Sequence, residues 1–373
     1  MPLALYRKYR PRRLADLLGQ EMTVEILRNA SRQNRFSHGY LFYGPRGTGK
    51  TTAARLLAKL ANCERRENVK NVRDEGEPCN ECNACIAIDS GQSLDVIEID
   101  AASNRNIEDV RNLRENVNLA PVTSRYKVFI VDEVHMLNTF AFNALLKTLE
   151  EPPAHVIFIL ATTELEKIPA TIASRVQRFA FHRLPKDVIV KKLEFICHSE
   201  KIEAEKDALE LIAVAAEGGL RDAESALDQI TGSAPAVTLA NAEAILGRAG
   251  LGKLAELGEL LAARDIKAAL TFIENMNEAG TASTHFTKDL VHYLRRVLSL
   301  KLNPALETLF LDDITANDIS NMKRIAEKTD SEFMVRLLKA LLAAYAEMRY
   351  SPFAYVPLEV AIVEALTFRA NKN

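Results

Sequence analysis

The sequence predicts an α/β domain built on a parallel five-stranded sheet, followed by a small helical domain and a larger all-helical one. Three observations carry that expectation. A glycine-rich segment, Gly44-Pro45-Arg46-Gly47-Thr48-Gly49-Lys50-Thr51, lies between an apolar run and a helical stretch. From residue 40 to residue 184, short apolar runs alternate with helical patterns, as in a parallel sheet covered on both faces. Past Leu184-Pro185 the strand signal stops and helical periodicity remains.

The strands are expected at Gly39–Tyr43, Asp95–Asp100, Lys127–Asp132, Val156–Thr162 and Gln177–Arg183. Several are nearly continuous apolar runs, the mark of parallel strands buried on both faces. Helices are expected between them at Thr51–Asn62, Ile107–Val117, Phe140–Glu150 and Ala170–Ser174, while Cys63–Glu77 is polar, charged and loop-like. The second region reads as helices at Asp187–His198, Asp207–Ala216, Leu220–Thr231 and Leu239–Leu246, broken at Gly218-Gly219 and Gly232-Ser233-Ala234-Pro235. Amphipathic stretches at Leu254–Arg264, Ile266–Asn277, Phe286–Leu302, Asp318–Lys328, Ser331–Glu347 and Pro357–Arg369 make the third. The boundaries are set at 1–180, 181–246 and 247–373.

At 373 residues, two or three domains are expected. With a net charge of −2 the whole surface is no polyanion binder, so any nucleic-acid contact needs a local basic face. No signal peptide and no apolar run of spanning length is present, so a cytoplasmic protein without membrane contact is expected. Disulfides are rare in that compartment, so the five cysteines need another use. Cys197 lies in an apolar helical pattern and reads as an inert core thiol.

The glycine-rich segment fits G-x-x-x-x-G-K-[ST], the phosphate-binding loop. Glycines let the chain curl so that several N–H groups face one anion, and the following helix adds positive potential. Lys50 is expected on the outer phosphates and the Thr51 hydroxyl on Mg²⁺. The strand Val128–Val131 ends in Asp132 and Glu133. Asp132 is expected to hold Mg²⁺ and Glu133 to polarise the water that attacks the γ-phosphate of ATP. Strand alternation should point the two carboxylates apart. The next strand ends Ala161-Thr162-Thr163-Glu164, where a polar residue could orient that water, although a Thr there is ordinarily a good strand residue. Arg175 and Arg221 read first as surface charges; the other readings are an arginine finger reaching a neighbouring subunit's γ-phosphate for Arg175 and a lid contact to its own phosphates for Arg221. The run Cys63-x₁₅-Cys79-x₂-Cys82-x₂-Cys85 suits a closed four-thiolate Zn²⁺ site that staples a loop-rich insertion over 63–85. An iron–sulfur cluster and free thiols are the other readings.

Taken with Ile97–Ser103, Val131-Asp132-Glu133-Val134-His135-Met136-Leu137, Phe142–Pro153 and Ala161-Thr162-Thr163-Glu164, these motifs resemble the gamma/tau subunit family of bacterial DNA polymerase III. That family is the motor of the sliding-clamp loader, in the AAA+ superfamily. The resemblance is strong through about residue 246 and diffuse beyond it. It implies that Thr163 holds the sensor-one position, Arg175 the arginine finger acting on a neighbouring subunit, and Arg221 the sensor-two position of the lid. It implies that Tyr6 and Arg10, in Tyr6-Arg7-Lys8-Tyr9-Arg10-Pro11, wrap the adenine and ribose, and that the C-terminal helices form an oligomerising collar. Val176 stands where the family commonly has Cys, and the Cys63–Cys79 gap is longer than the family's.

The implied activity is ATP hydrolysis within a polymerase holoenzyme, and the chain carries no polymerase site of its own. The implied partners are the delta and delta-prime subunits, further copies of the chain, the beta sliding clamp, primed DNA and, indirectly, single-stranded-DNA-binding protein. Lys147 and the turn Ser103-Asn104-Arg105-Asn106 are candidate phosphate contacts on DNA. Since the chain ends at Asn373, a gamma-like form or a truncated tau is expected. Two alternatives stay open, another AAA+ DNA motor such as a branch-migration ATPase and a non-hydrolysing scaffold subunit.

Overall fold

The protein is described by a computed structural model that covers residues 3–103, 116–247, 250–310 and 316–367. The expected helix Ile107–Val117 and the turn residues Asn104, Arg105 and Asn106 fall largely or wholly outside the described residues. The chain forms two compact units, Met1–Ile189 with Ala216–Ser225 and Val190–Ala215 with Ala226–Asn373.

In the first unit, β1 (Gly39–Tyr43), β2 (Val96–Asp100), β3 (Lys127–Asp132), β4 (Val156–Thr162) and β5 (Gln177–Ala180) form one parallel sheet in the order β2-β3-β4-β1-β5. Their carboxyl ends lie together: Tyr43 pairs with Thr162, and Val131 with Leu160. One face buries Leu14, Leu27, Phe42, Leu57, Ile130 and Phe179, and the other buries Leu41, Phe129, Leu145, Phe158, Leu160 and Ile172. The two apolar layers explain why β3 and β4 read as continuous apolar runs.

The helices of this unit are α1 (Leu5–Lys8), α2 (Glu21–Arg32), α3 (Lys50–Asn62), α4 (Glu64–Asn68), α5 (Lys70–Glu75), α6 (Asn83–Ser90), α7 (Thr139–Glu150) and α8 (Ala170–Ala173). The Asn138 side chain accepts from Ala141 N at 2.8 Å and so starts α7. Two expectations need correction. The stretch read as loop-like carries α4 and α5, short charged helices held to α2 by Arg66, buried against Ser31, Asn34 and the Phe36 ring, and by Arg32, which donates to Asp74 O. β5 stops at Ala180 rather than Arg183, because His182 gives its backbone N–H and C=O to the Gln20 side chain (3.1 and 2.9 Å) instead of to a strand.

The second unit is helical apart from an isolated bridge between Ala204 and Val237. Helices Leu251–Ala262, Ile266–Glu278, Ser283–Leu302, Ala316–Lys328, Ser331–Glu347 and Val356–Thr367 enclose a core that includes Phe286, Leu290, Ile325, Leu337, Leu341 and Ile362. Asp265 and Asp330 cap two of them through Ala268 N (3.0 Å) and Phe333 N (2.7 Å). No helix of the described residues is long and apolar enough to cross a membrane.

Candidate nucleotide site and cysteine cluster

The phosphate loop leaves the carboxyl end of β1 and enters α3 at Lys50. A Cβ on Gly44 would stand 2.1 Å from the Phe181 carbonyl oxygen, so glycine is required there. Gly49, at φ 99°, caps α3 in the left-handed region. The first-turn N–H groups of a 13-residue helix thus open into the loop, ready for an anion. Lys50 is buried and donates 2.8 Å hydrogen bonds to the carbonyls of Gly44 and Pro45. Its burial pushes the ammonium pKa down, while Glu133 and Asp132 oppose that shift. Thr48 Oγ1 donates to Pro45 O at 2.8 Å, and Arg46 is exposed.

Thr51 Oγ1 donates to Asp132 Oδ2 at 2.7 Å, so the two expected magnesium ligands already touch. A hydroxyl and a carboxylate beside a phosphate loop form the hard oxygen set that Mg²⁺ takes, with waters and phosphate completing it. Asp132 Oδ1 accepts from Glu133 N at 2.9 Å. The carboxylates diverge for a different reason than strand alternation. β3 ends at Asp132, and Glu133 turns the chain with φ 47°, a left-handed conformation that a non-glycine residue holds only where its surroundings enforce it.

The enforcing contacts come from β4. Thr163 donates to Glu133 Oε2 through its N–H (3.2 Å) and its hydroxyl (3.0 Å). His135, not singled out by sequence reasoning, also lies here. Its Nδ1 is 3.3 Å from Glu133 Oε2 and 3.0 Å from Thr162 Oγ1, and its Nε2 is 3.1 Å from Glu164 Oε1. Lys167 and then His135 hold the Glu164 carboxyl below its ordinary range. The signal for His135 was present in Asp132-Glu133-Val134-His135, but a lone histidine after a strand carries no periodicity.

The N-terminal segment runs along the loop. Leu17 packs on Gly49, with a Cβ there 3.5 Å from Leu17 Cδ2. The Arg221 guanidinium stands 4.9 Å over the Tyr6 ring, a cation–π contact, and Arg221 N lies 3.5 Å from Gly47 O. Arg10 is largely buried, which lowers its pKa, with Arg55 adding to that and Glu98 opposing. Tyr6, Arg10 and Arg221 therefore join the phosphate loop, Asp132, Glu133 and Thr163 at one end of the sheet.

Arg175 does not. Its carbonyl lies 3.0 Å from His38 Nε2, immediately before β1, at the opposite end of the sheet. Its guanidinium pairs with Glu150 at 2.9 Å and donates to Thr171 O at 2.7 Å, partly exposed. Lys147 is exposed on α7, and Ser103 Oγ donates to Asp100 Oδ2 at 2.8 Å.

The sulfurs of Cys63, Cys79, Cys82 and Cys85 all lie within 4.8 Å of one another. A tetrahedron of Zn–S bonds of about 2.3 Å has sulfurs about 3.8 Å apart, so the cluster fits such an ion with slight contraction. Asn80, at φ 61°, turns the chain so that the N–H groups of Glu81 (3.4 Å) and Cys82 (3.3 Å) face the Cys79 sulfur. Those donors suit a thiolate. The Cys63 thiol is drawn down to about 4, chiefly by the Cys85 thiol beside it, and Cys85 is pushed up in turn. Cys197 is apart from the cluster and buried, which raises its thiol to about 11.

Three family models match the chain in succession: "DNA polymerase III, delta subunit" over residues 19–185, "DNA polymerase III clamp loader subunit, ATPase lid domain" over 188–233, and "DNA polymerase III subunits gamma and tau domain III" over 237–370. The DNA polymerase III subunit tau of Bacillus subtilis is 42% identical over 97% of this chain and 62% of its own length. The tau subunit of Escherichia coli is 38% identical over 98% of this chain and 55% of its own length. The chain thus spans about three fifths of the length of these curated relatives. Among solved structures, the Thermotoga maritima RuvB Holliday junction branch migration motor aligns with 64% of this chain and 72% of its own, at 19% identity and a TM-score of 0.45.

Proposed function

Because the chain belongs to the gamma/tau subunit family of bacterial DNA polymerase III, we propose that it is the ATP-hydrolysing motor subunit of a sliding-clamp loader. The observation that carries the proposal is the convergence of Lys50, Thr51, Asp132, Glu133 and Thr163 at the ends of three adjacent strands. The N–H groups at the start of α3 bind the phosphates, and Lys50 leaves its two carbonyls to meet their outer oxygens. Thr51 and Asp132 would hold Mg²⁺, which would supply charge neutralisation to the phosphates when bound. Glu133, fixed by Thr163, accepts the proton of the attacking water. Tyr6 and Arg10 hold the base side, and Arg221 reports the phosphates to the helix it begins.

Arg175 completes the site of a neighbouring chain. From His38 to Gly44 the chain runs six residues along β1, about 20 Å at a rise of about 3.3 Å per residue, too far for a side chain to return to its own loop. The site is therefore half-built in each chain and whole only between two, in a ring with delta and delta-prime. Loading of the beta clamp on primed DNA, the three-domain division at 180 and 246, Zn²⁺ in the four-cysteine cluster and action at the cytoplasmic replisome belong to the same reading. Polymerisation itself belongs to the holoenzyme.

The test is steady-state ATP hydrolysis by this chain with delta, delta-prime, clamp and primed DNA, one component omitted at a time. Stimulation that needs both clamp and primed DNA is expected. Hydrolysis indifferent to the clamp but raised by branched DNA would refute the clamp-loader reading, and none under any condition would make the chain a scaffold.

A further inference from the structure

Glu77 is a buried carboxylate that the chemistry above does not use. It lies two residues before Cys79, yet its partners are far away in sequence. Its Oε2 accepts from Leu14 N at 2.6 Å, its Oε1 accepts from Ala15 N at 3.1 Å, and Arg28 on α2 donates to it through Nε (3.2 Å) and Nη2 (2.6 Å). Leu14 and Ala15 open the short 3₁₀ helix Leu14–Asp16, whose first N–H groups have no partner within the turn. Glu77 thus caps that turn from another part of the chain with a charge-assisted pair of bonds. Its neighbour Gly76 (φ 68°) makes the approach possible, since a Cβ there would stand 2.6 Å from Arg28 Cγ and 2.8 Å from Arg28 O. The residues just before that turn carry Tyr6 and Arg10, and the residue just after it, Leu17, packs on Gly49 of the phosphate loop.

We propose that Glu77 is a positioning residue for the nucleotide's base: it clasps the N-terminal segment against the phosphate loop, and through Pro78-Cys79 it makes that clasp depend on the four-cysteine cluster. The cluster side is fixed independently of Glu77. Lys59 of α3, itself 1% exposed, donates to Asn80 Oδ1 (2.7 Å), between Cys79 and Cys82, and to Asp89 Oδ2 (2.8 Å), beyond Cys85. Arg32 of α2 donates to Asp74 O at 2.8 Å. The cysteine module is therefore seated on α2 and α3, and Glu77 is the side chain by which it reaches the segment that faces the base. This inference rests on the reading of Tyr6 and Arg10 as base-side residues.

The experiment is competition binding of ATP, GTP and inorganic tripolyphosphate to the full chain, with hydrogen exchange followed at Leu14 and Ala15. Glu77→Ala is expected to weaken ATP about tenfold, the effect of an ordered segment whose population falls to a tenth. GTP, which shares the ribose but not the adenine, should weaken less and tripolyphosphate binding should be unchanged, so that the preference for ATP narrows. Glu77→Gln, which keeps an acceptor and loses the charge, should lie between. Stripping the metal with a thiol-directed mercurial and a chelator should lower the ATP preference alike and speed exchange at both amides, and removing the mercurial with excess dithiothreitol and then adding zinc should reverse it. If Tyr6→Ala and Arg10→Ala abolish the preference while Glu77→Ala leaves it, the clasp is overturned and the base-side reading stands. If Tyr6→Ala and Arg10→Ala also leave the preference intact, the base-side reading fails and the clasp with it. Should Glu77→Ala not fold, unchanged exchange at Leu14 and Ala15 on metal removal from the unaltered chain overturns the proposal.

Discussion

Replacing Arg175 by Ala separates hydrolysis from nucleotide binding more cleanly than any other single change. The ion pair it breaks, with Glu150 at 2.9 Å, is formed between side chains 37% and 50% exposed, so its loss should cost the fold no more than about 1 kcal/mol. The position lies at the far end of β1 from the phosphate loop, so the ATP affinity of the mutated chain should not change. On the proposed reading, what is lost is an arginine at the neighbour's transferring phosphoryl group, worth roughly 10³–10⁵ in rate. The assay is ATP turnover by the assembled complex, with ATP affinity and thermal midpoint measured on the same preparation. Chains carrying Arg175→Ala should be inactive, and so should chains carrying Lys50→Ala. Mixed in one complex they should regain part of the activity, because an intact finger then faces an intact loop. Near-normal turnover by the Arg175→Ala complex, or a matching loss of ATP affinity, would refute the reasoning.

Three further outcomes are expected. Thr163→Val removes the hydroxyl bond to Glu133 but keeps the backbone one, so kcat should fall by part of the ~10²–10⁴-fold that general-base catalysis supplies, with ATP affinity unchanged in equilibrium binding. Cys85→Ser should reduce bound zinc, measured by atomic absorption, from one per chain toward none, and should lower the thermal midpoint of the first unit. The Tyr40 hydroxyl, buried and accepting from Ser37 N, is pushed up to about 12 by burial. An unfolded chain releases that proton near pH 10, so the contribution is whole below about pH 10 and is lost toward pH 12 at about 1.4 kcal/mol per unit. Urea midpoints across pH 9.5–11.5 should therefore fall more steeply for the unaltered chain than for Tyr40→Phe.

Legibility in the sequence followed periodicity. β1, β3 and β4 have their expected bounds because each is built on a continuous apolar run, closed in β3 by Lys127 and Asp132. The end of β5 was misread because its ladder is cut by a side chain, Gln20, 162 residues away in sequence. The phosphate loop, Asp132, Glu133 and the cysteine spacing were legible because their chemistry dictates residue type at fixed intervals. Glu77, Arg28, Lys59 and His135 were not, since each acts as a single polar residue whose meaning depends on a distant partner. The left-handed turn at Glu133 was hidden as well, for glutamate gives no sign of positive φ in a sequence. Arg175 was legible only as an ambiguity, and its place at the far end of the sheet narrows the ways it can act.

The bond between Arg175 O and His38 has a mechanical consequence. One five-residue strand, buried along four of its residues, joins the phosphate loop at one tip to the backbone of Arg175 at the other. A strand packed into a dense interior transmits strain along its length. A displacement of the loop is therefore felt at Arg175. If the chain assembles into a ring as proposed, occupation of one site would bear on the next through this one strand.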